Sequence, residues 1–324
     1  MRTCYLGLEL RSPVVVASSP YTAKIEGVRR CAAAGAGAVV LKSIFEEQIV
    51  RHAAALERFS DAGMGDSGEY LERYLGDAYR AEYLQLVADA CTTGIPVIAS
   101  INCISGSEGW ADYAAATAAT GASALELNIF LQPTDRSLSA GDLERRYAAI
   151  VRDVVRAVTV PVAVKLPMRL TNVLSVGDAL LGCGARGLVL FNRFFEPDID
   201  IERMAFVPGD PFSRPSELRN VLRTTALCAT ALPQLDIAVS TGVHDGAAAV
   251  KALLCGASAV QICTAIHCCG FDAVGAIDRF VDAWARRHGF DSIAAFRGRM
   301  DFGSSGDDVL QRVQYMKYFP HGTE

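Results

Sequence analysis

Short apolar runs alternate with longer segments of helical spacing along most of the chain. The runs are 13–19 (PVVVASS), 38–43 (AVVLKS), 96–102 (PVIASIN), 124–128 (ALELN), 161–167 (PVAVKLP), 187–192 (GLVLFN), 235–242 (LDIAVSTG) and 258–265 (SAVQICTA). They are nearly continuous in Val, Ile, Leu and Ala, the pattern of parallel strands covered on both faces. Helical patterns follow at 24–36, 79–94, 110–121, 140–158, 172–184, 216–232, 245–256 and 270–289, and Ser139 stands where the helix at 140 needs a cap. Eight strands, each followed by a helix, predict a closed (β/α)8 TIM barrel rather than a doubly wound sheet. Residues 3–13 (TCYLGLELRSP) predict a β-hairpin that plugs the N-terminal end of the barrel. Two connections, 44–78 and 193–215, are long and follow strands, so they are expected as lids or binding loops on the C-terminal face. No linker or shift in composition divides the sequence. A single domain over 1–324 is expected, with its core at about 13–290 and a tail at about 300–324.

Composition narrows the function. With 324 residues, 51% of them hydrophobic, the chain can bury one large core. A net charge of -5, with no basic cluster interleaved with aromatics, argues against nucleic acid and anionic membrane surfaces as partners. No apolar stretch reaches the roughly 18 residues of a membrane span. The N-terminus carries too short an apolar run for a signal peptide, so a cytoplasmic protein is expected. Ten cysteines are scattered without a C-x-x-C pair, which argues against a metal site or iron–sulfur cluster and predicts mostly small buried thiols in a reducing compartment.

In such a barrel the polar residues at the C-terminal ends of strands converge on one pocket. Here they are Ser18 and Ser19, Lys42 and Ser43, Asn102, Asn128, Lys165, Asn192, then Ser240, Thr241 and Gly242, and Thr264. Lys165 is flanked by apolar residues, where a cation is costly unless it faces an anion or polar ligand. Three roles are open to it: a Schiff-base lysine, a cation against the electron-rich edge of a reduced flavin, or a structural ion pair. Lys42 has the same choices. The ends of strands seven and eight (STGVHDG and VQICTA) offer free N–H groups and hydroxyls for a phosphate, or form ordinary tight turns.

The pieces YLGLELRSPVVVASS, GAGAVVLKS, LELN, VPVAVKLP, LFN and TGVHDGAAAVKALLCGASAVQICTAI carry a specific resemblance. Over about residues 3–300 the chain resembles the class 1 dihydroorotate dehydrogenases, barrels that bind flavin mononucleotide (FMN). The resemblance implies that Ser18 and Ser19 contact the flavin, that Lys42 and Ser43 lie beside its ring, and that Asn102 and Asn128 bond flavin or substrate. Lys165 would stabilise negative charge near flavin N1 and O2, and Asn192 would face the substrate. Ser240, Thr241, Gly242, Cys263 and Thr264 would hold the ribityl phosphate. The catalytic set implied is Lys42, Asn128, Lys165 and Asn192.

The substrate half departs from the family. Where the family reads Asn-Leu-Ser-Cys-Pro-Asn, this chain has Asn128, Ile129, Phe130, Leu131, Gln132 and Pro133. Leu131 thus stands in the place of the proton-accepting cysteine. Cys103 and Asp135 are the candidates for a replacement base. The family's Asn-Ser-Met-Gly loop becomes AGMGDSGEY, and its glycine-rich segment before helix six becomes GDPFSRPSEL. The expected function is an FMN-dependent dehydrogenase of pyrimidine metabolism. It would move a hydride between flavin N5 and dihydroorotate or a related small heterocycle. The alternatives are a non-catalytic flavin-binding sensor or subunit, and a flavin-free lyase using Lys165 as a Schiff base. The resemblance also implies a homodimer, with fumarate or a separate electron-transfer partner as acceptor.

Overall fold

The N-terminal hairpin forms as expected. Strands β1 (Thr3–Tyr5) and β2 (Leu8–Leu10) pair antiparallel, Thr3 opposite Leu10. The two residues between them, Leu6 and Gly7, both have positive φ (56° and 74°), as a two-residue turn matched to strand twist requires. The Leu6 N–H donates to Asp236 Oδ2 at 2.8 Å, which ties the turn to the barrel.

The computed structural model describes residues 1–45, 67–102, 107–131, 135–193 and 196–300. Its remaining strands are β3 (Val14–Val16), β4 (Ala38–Val40), β5 (Ile44–Phe45), β6 (Val97–Asn102), β7 (Ala124–Asn128), β8 (Val162–Pro167), β9 (Gly187–Asn192), β10 (Asp198–Asp200), β11 (Ala205–Val207), β12 (Asp236–Ser240) and β13 (Ala259–Ile262). The helices are α1 (Ile25–Ala33), α2 (Ser67–Cys91), α3 (Ser107–Ala119), α4 (Ala140–Ala157), α5 (Val173–Gly182), α6 (Leu218–Ala231), α7 (Gly246–Leu254), α8 (Thr264–Cys269) and α9 (Asp272–Arg287). Strands β4, β3, β13, β12, β9, β8, β7 and β6 are parallel neighbours in that order, and β4 pairs back onto β6. The sheet therefore closes, and the chain folds as a (β/α)8 barrel.

Period-two alternation sorts the strand residues. One set, including Val14, Val16, Val39, Val97, Leu125, Leu127, Val164 and Leu188, packs outward against Val28, Val87, Val151, Val154, Leu180 and Val221 of the helices. The other set points into the barrel. Its lower layer, Val15, Ala38, Val40, Ile98, Ala124, Ala163, Val189, Ala238 and Ala259, packs on Tyr5, Leu6 and Leu10 of the hairpin. The hairpin is thus the expected plug. One step up, the interior turns polar, with Ser100, Glu126, Lys165 and Gln261 all buried.

Several boundaries differ from expectation. Helix α2 begins at Ser67 rather than 79, so part of the expected 44–78 loop is helical. Strand β4 stops at Val40, and β5 resumes the pairing with β6 through Ile44↔Ile101. Strand eight ends at Ile262, and Thr264 instead opens α8. The connection 193–215 contains an antiparallel hairpin, β10–β11. Its strands have no buried face to produce a readable alternation: Ile199, Met204 and Phe206 are all exposed. The cysteines also differ. The nine described are free, but only Cys31 and Cys228 are buried, while Cys4, Cys268 and Cys269 are exposed. Scattered spacing reports the absence of a motif, not burial. No helix among the described residues is long and apolar enough to cross a membrane.

Candidate active site

The C-terminal mouth of the barrel holds a cavity of about 610 Å³ including its open side. Ser18, Lys165, Asn192, Ser240, Thr241, Gly242, Cys263 and Thr264 line it, all of them expected site residues. Ala17, Arg193, Pro211, Ser213, Val243 and Gln261 complete the wall. The parallel register accounts for the convergence: Asn128 sits opposite Lys165, and Ser240 opposite Gln261, on adjacent strands.

The floor is built from β7, β8 and β9. Asn192 Nδ2 donates to Asn128 Oδ1 at 2.8 Å, across Lys165 on the strand between them. Lys165 is 8% exposed and its Nζ lies 3.8 Å from Glu126 Oε1. Asn128 reaches the site through Asn192 rather than by lining the cavity. On the β3 side, the Ser18 hydroxyl accepts from the Ser43 N–H (2.9 Å) and lies 3.1 Å from Ser43 Oγ. Ser43 Oγ in turn meets Ser100 Oγ at 2.7 Å. Tyr83 closes this chain, its hydroxyl accepting from the Ser100 N–H and donating to the Ser100 carbonyl, each at 2.9 Å.

Lys42 and Ser43 face a neighbouring groove between α1 and α2. Burial pushes the Lys42 ammonium below its ordinary range, with Cys263 opposing that shift and Lys165 adding to it. The Cys263 thiol is itself raised by burial, while Ser19, Lys165 and Lys42 act the other way. Ser19, Lys42 and Cys263 therefore form one electrostatic neighbourhood at the rim. Asn102 ends β6 half-buried and does not line the cavity.

The β12 and β13 ends shape the far wall. Thr241 and Gly242 both have positive φ, 80° and 78°. That conformation is rare for a β-branched residue, and the Thr241 hydroxyl supports it by donating to the Phe191 carbonyl at 3.2 Å. A Cβ on Gly242 would stand 2.4 Å from the Leu218 nitrogen, so only glycine fits between β12 and α6. A strap from Asp210 to Glu217 lies over this wall. Arg193 Nη1 donates to the Asp210 carbonyl (2.7 Å), and its Nε to Glu217 (3.3 Å). Ser213 Oγ meets His244 Nε2 at 2.9 Å and donates to Thr264 Oγ1 at 3.1 Å. Phe212 stacks on His267 at 3.8 Å, and His267 Nδ1 meets the Tyr21 hydroxyl at 3.1 Å. His244 does not cap α7. Asp245 does, accepting from the Ala248 N–H at 2.8 Å.

The two candidate bases fare differently. Cys103 lies outside the described residues. Asp135 is exposed and accepts from the Ser137 N–H (2.8 Å) and Ser137 hydroxyl (2.7 Å), which hold its carboxyl below the usual range. These are the properties of a turn acceptor. Leu131 is half-buried and packs against the core, with its N–H 3.5 Å from the Tyr147 hydroxyl. Among the described residues, no group of three or more His, Cys, Asp or Glu side chains is placed to hold a metal.

Glu126, Gln261, Ser100, Arg193 and Ser213 were not singled out from the sequence. The first three sit two residues before an expected mouth residue, at Asn128, Cys263 and Asn102. Period-two alternation would have placed them on the same inner face.

The chain matches no family model. It is 29% identical over 272 residues to the catalytic subunit of dihydroorotate dehydrogenase B (NAD(+)) of Methanocella arvoryzae, covering 81% of this chain and 85% of that protein. It is 26% identical over 313 residues to the same subunit from Methanothermobacter thermautotrophicus, covering 90% and 96%. Dihydroorotate dehydrogenase A (fumarate) of Lactococcus lactis is 25% identical over 325 residues, covering 93% and 99%. With matches running the length of the barrel, the chain is similar throughout to the dihydroorotate dehydrogenases.

Proposed function

We propose that the protein is an FMN-dependent dehydrogenase that transfers a hydride between the flavin and dihydroorotate or a related small heterocycle. The observation that carries this reading is the make-up of the cavity at the barrel mouth. It joins a cation and an amide, Lys165 and Asn192, the latter held by Asn128 from outside the cavity, to a hydroxyl and backbone wall, Ser240 to Gly242 with Thr264. The wall suits a phosphate: Gly242 lets the backbone approach, and Thr264 and Ser213 bring hydroxyls to the same place. Buried Gln261 lines the cavity with an Oε1 that accepts no hydrogen bond among the described residues, and it fits a ligand N–H. The residues therefore fit FMN.

In this reading Ser240, Thr241, Gly242, Cys263 and Thr264 hold the phosphate, while Ser18 borders the ring with Ser19 beside it and Ser43 holding its hydroxyl; Asn102, off the cavity, takes no contact. Lys165 and Lys42 supply positive charge, and Asn128 and Asn192 orient the substrate. When bound, FMN supplies a two-electron acceptor that the side chains lack. The strap over the far wall excludes water through its bonds from Arg193 and Ser213. We further propose a cytoplasmic, single-domain homodimer. Its electron acceptor is fumarate or a partner subunit, after the relatives named as fumarate enzymes and as catalytic subunits.

A second reading is favoured by Leu131, which is a hydrocarbon packed on the core where a base is needed. A positioned base is worth about 10²–10⁴ in rate, so a flavin-binding sensor or subunit would carry this substitution without loss. The Schiff-base lyase is disfavoured, because that chemistry needs a free amine and Lys165 is ion-paired with Glu126. Anaerobic mixing of the FMN-loaded protein with dihydroorotate separates the readings. Bleaching of the flavin bands within seconds to minutes supports the dehydrogenase. Bands that stay oxidised after hours, with dihydroorotate and related heterocycles alike, support the sensor.

A further inference from the structure

A carboxylate lies under the floor of the pocket. Glu126 is 1% exposed, on the inner face of β7. Its Oε2 accepts from Gln261 Nε2 at 2.5 Å across the barrel, and its Oε1 lies 3.8 Å from Lys165 Nζ while accepting no hydrogen bond among the described residues. Gln261 and Lys165 line the cavity, whereas Glu126 stands behind them. A carboxylate buried this far from water is costly unless paired. Packing does not require it. The layer immediately below, with Ala124, Ala163 and Val189, fills the same interior with apolar groups. The bond to Gln261 does not require a charge either, since an amide could make it.

We propose that Glu126 is a positioning residue for Lys165. It holds the ammonium at the pocket floor as an ion pair and partly offsets its charge. In doing so it sets how strongly the site favours the reduced form of a bound flavin. This inference rests on the FMN reading above. Two-electron reduction adds negative charge to an isoalloxazine ring near neutral pH. A cation lining the pocket therefore favours the reduced form, and a carboxylate behind that cation opposes it. Lys165 is 8% exposed, with Asn128 on β7 and Val189 on β9 as its register partners, so loss of the carboxylate is read chiefly as a change of charge at the floor.

The test is the two-electron midpoint potential of the FMN-loaded protein, read by anaerobic dye equilibration. Glu126→Gln keeps the side-chain size, and the Gln261 amide can turn its oxygen toward the new donor. The reduced form should gain about tenfold in relative affinity, a rise of about 30 mV for a two-electron couple. Glu126→Met removes the same charge without a polar group, and should move the potential in the same direction if the glutamine variant fails to fold. Lys165→Gln should lower it. Thr225→Ala, which alters a buried hydroxyl of α6 bonded to the Val221 carbonyl away from the pocket, should leave it in place. An unchanged or lowered potential in folded, FMN-loaded Glu126→Gln or Glu126→Met overturns this inference alone. A wild-type chain that takes up no FMN overturns the FMN reading and this inference with it.

Discussion

At the scale of single residues, the site depends on polar groups buried where water cannot serve them. Tyr83 shows the cost. Its hydroxyl bonds both the N–H and the carbonyl of Ser100, and burial pushes its pKa well above the ordinary phenol value. Tyr83→Phe leaves both backbone groups of a barrel strand without that partner. A buried unsatisfied group costs about 1–3 kcal/mol, so urea unfolding should show a loss of about that size with an unchanged slope. A loss below about 0.5 kcal/mol would mean that Ser100 finds another partner. The sequence made Lys165 and Asn192 legible because a polar residue ends an apolar run at each. It hid Glu126 and Ser100 because each lies inside such a run, where only the alternation of faces marks it. Leu131 was legible as a departure only through the resemblance, which implies a proton-accepting cysteine at that position.

At the scale of elements, helix starts were the most legible feature, because their signal is local. Ser139 opens α4 and bonds Asp142 reciprocally: its hydroxyl accepts from the Asp142 N–H, and Asp142 Oδ2 accepts from the Ser139 hydroxyl and N–H. Those bonds, with Arg145, hold the Asp142 carboxyl at about 2. The folded value is below the unfolded one, so the contribution is complete above the ordinary carboxylate range. It is lost as pH falls from about 3.8 through about 2. Asp142→Asn should flatten that part of the acid limb in a pH series of thermal unfolding, while leaving the neutral-pH slope alone. An identical acid limb in both proteins would show that the cap contributes nothing to acid stability. The β10–β11 hairpin and the early start of α2 were not legible for the converse reason. The hairpin buries no face, and in the first turns of α2 two glycines and mixed charge (SGEYLERYLGD) obscure the apolar pairs Tyr70–Leu71 and Tyr74–Leu75, which recur at helical spacing.

At the scale of the whole molecule, eight strand–helix units dictated closure, and the hairpin supplied the plug that eight strands leave room for. Closure then did what no local pattern could. It brought Ser18, just past β3, to the same cavity as Cys263 and Thr264, just past β13, and Lys165 of β8. Depth within the barrel sorted apolar alanines below from Glu126, Gln261 and Lys165 above. The central claim is that this mouth binds FMN through its phosphate end. A titration of FMN into flavin-free protein, followed by quenching of flavin fluorescence, tests it most directly, with riboflavin titrated in parallel. One FMN per chain, bound at least about tenfold more tightly than riboflavin, a difference of about 1.4 kcal/mol, is the expected result. No quenching with FMN, or equal affinity for the two, would contradict it.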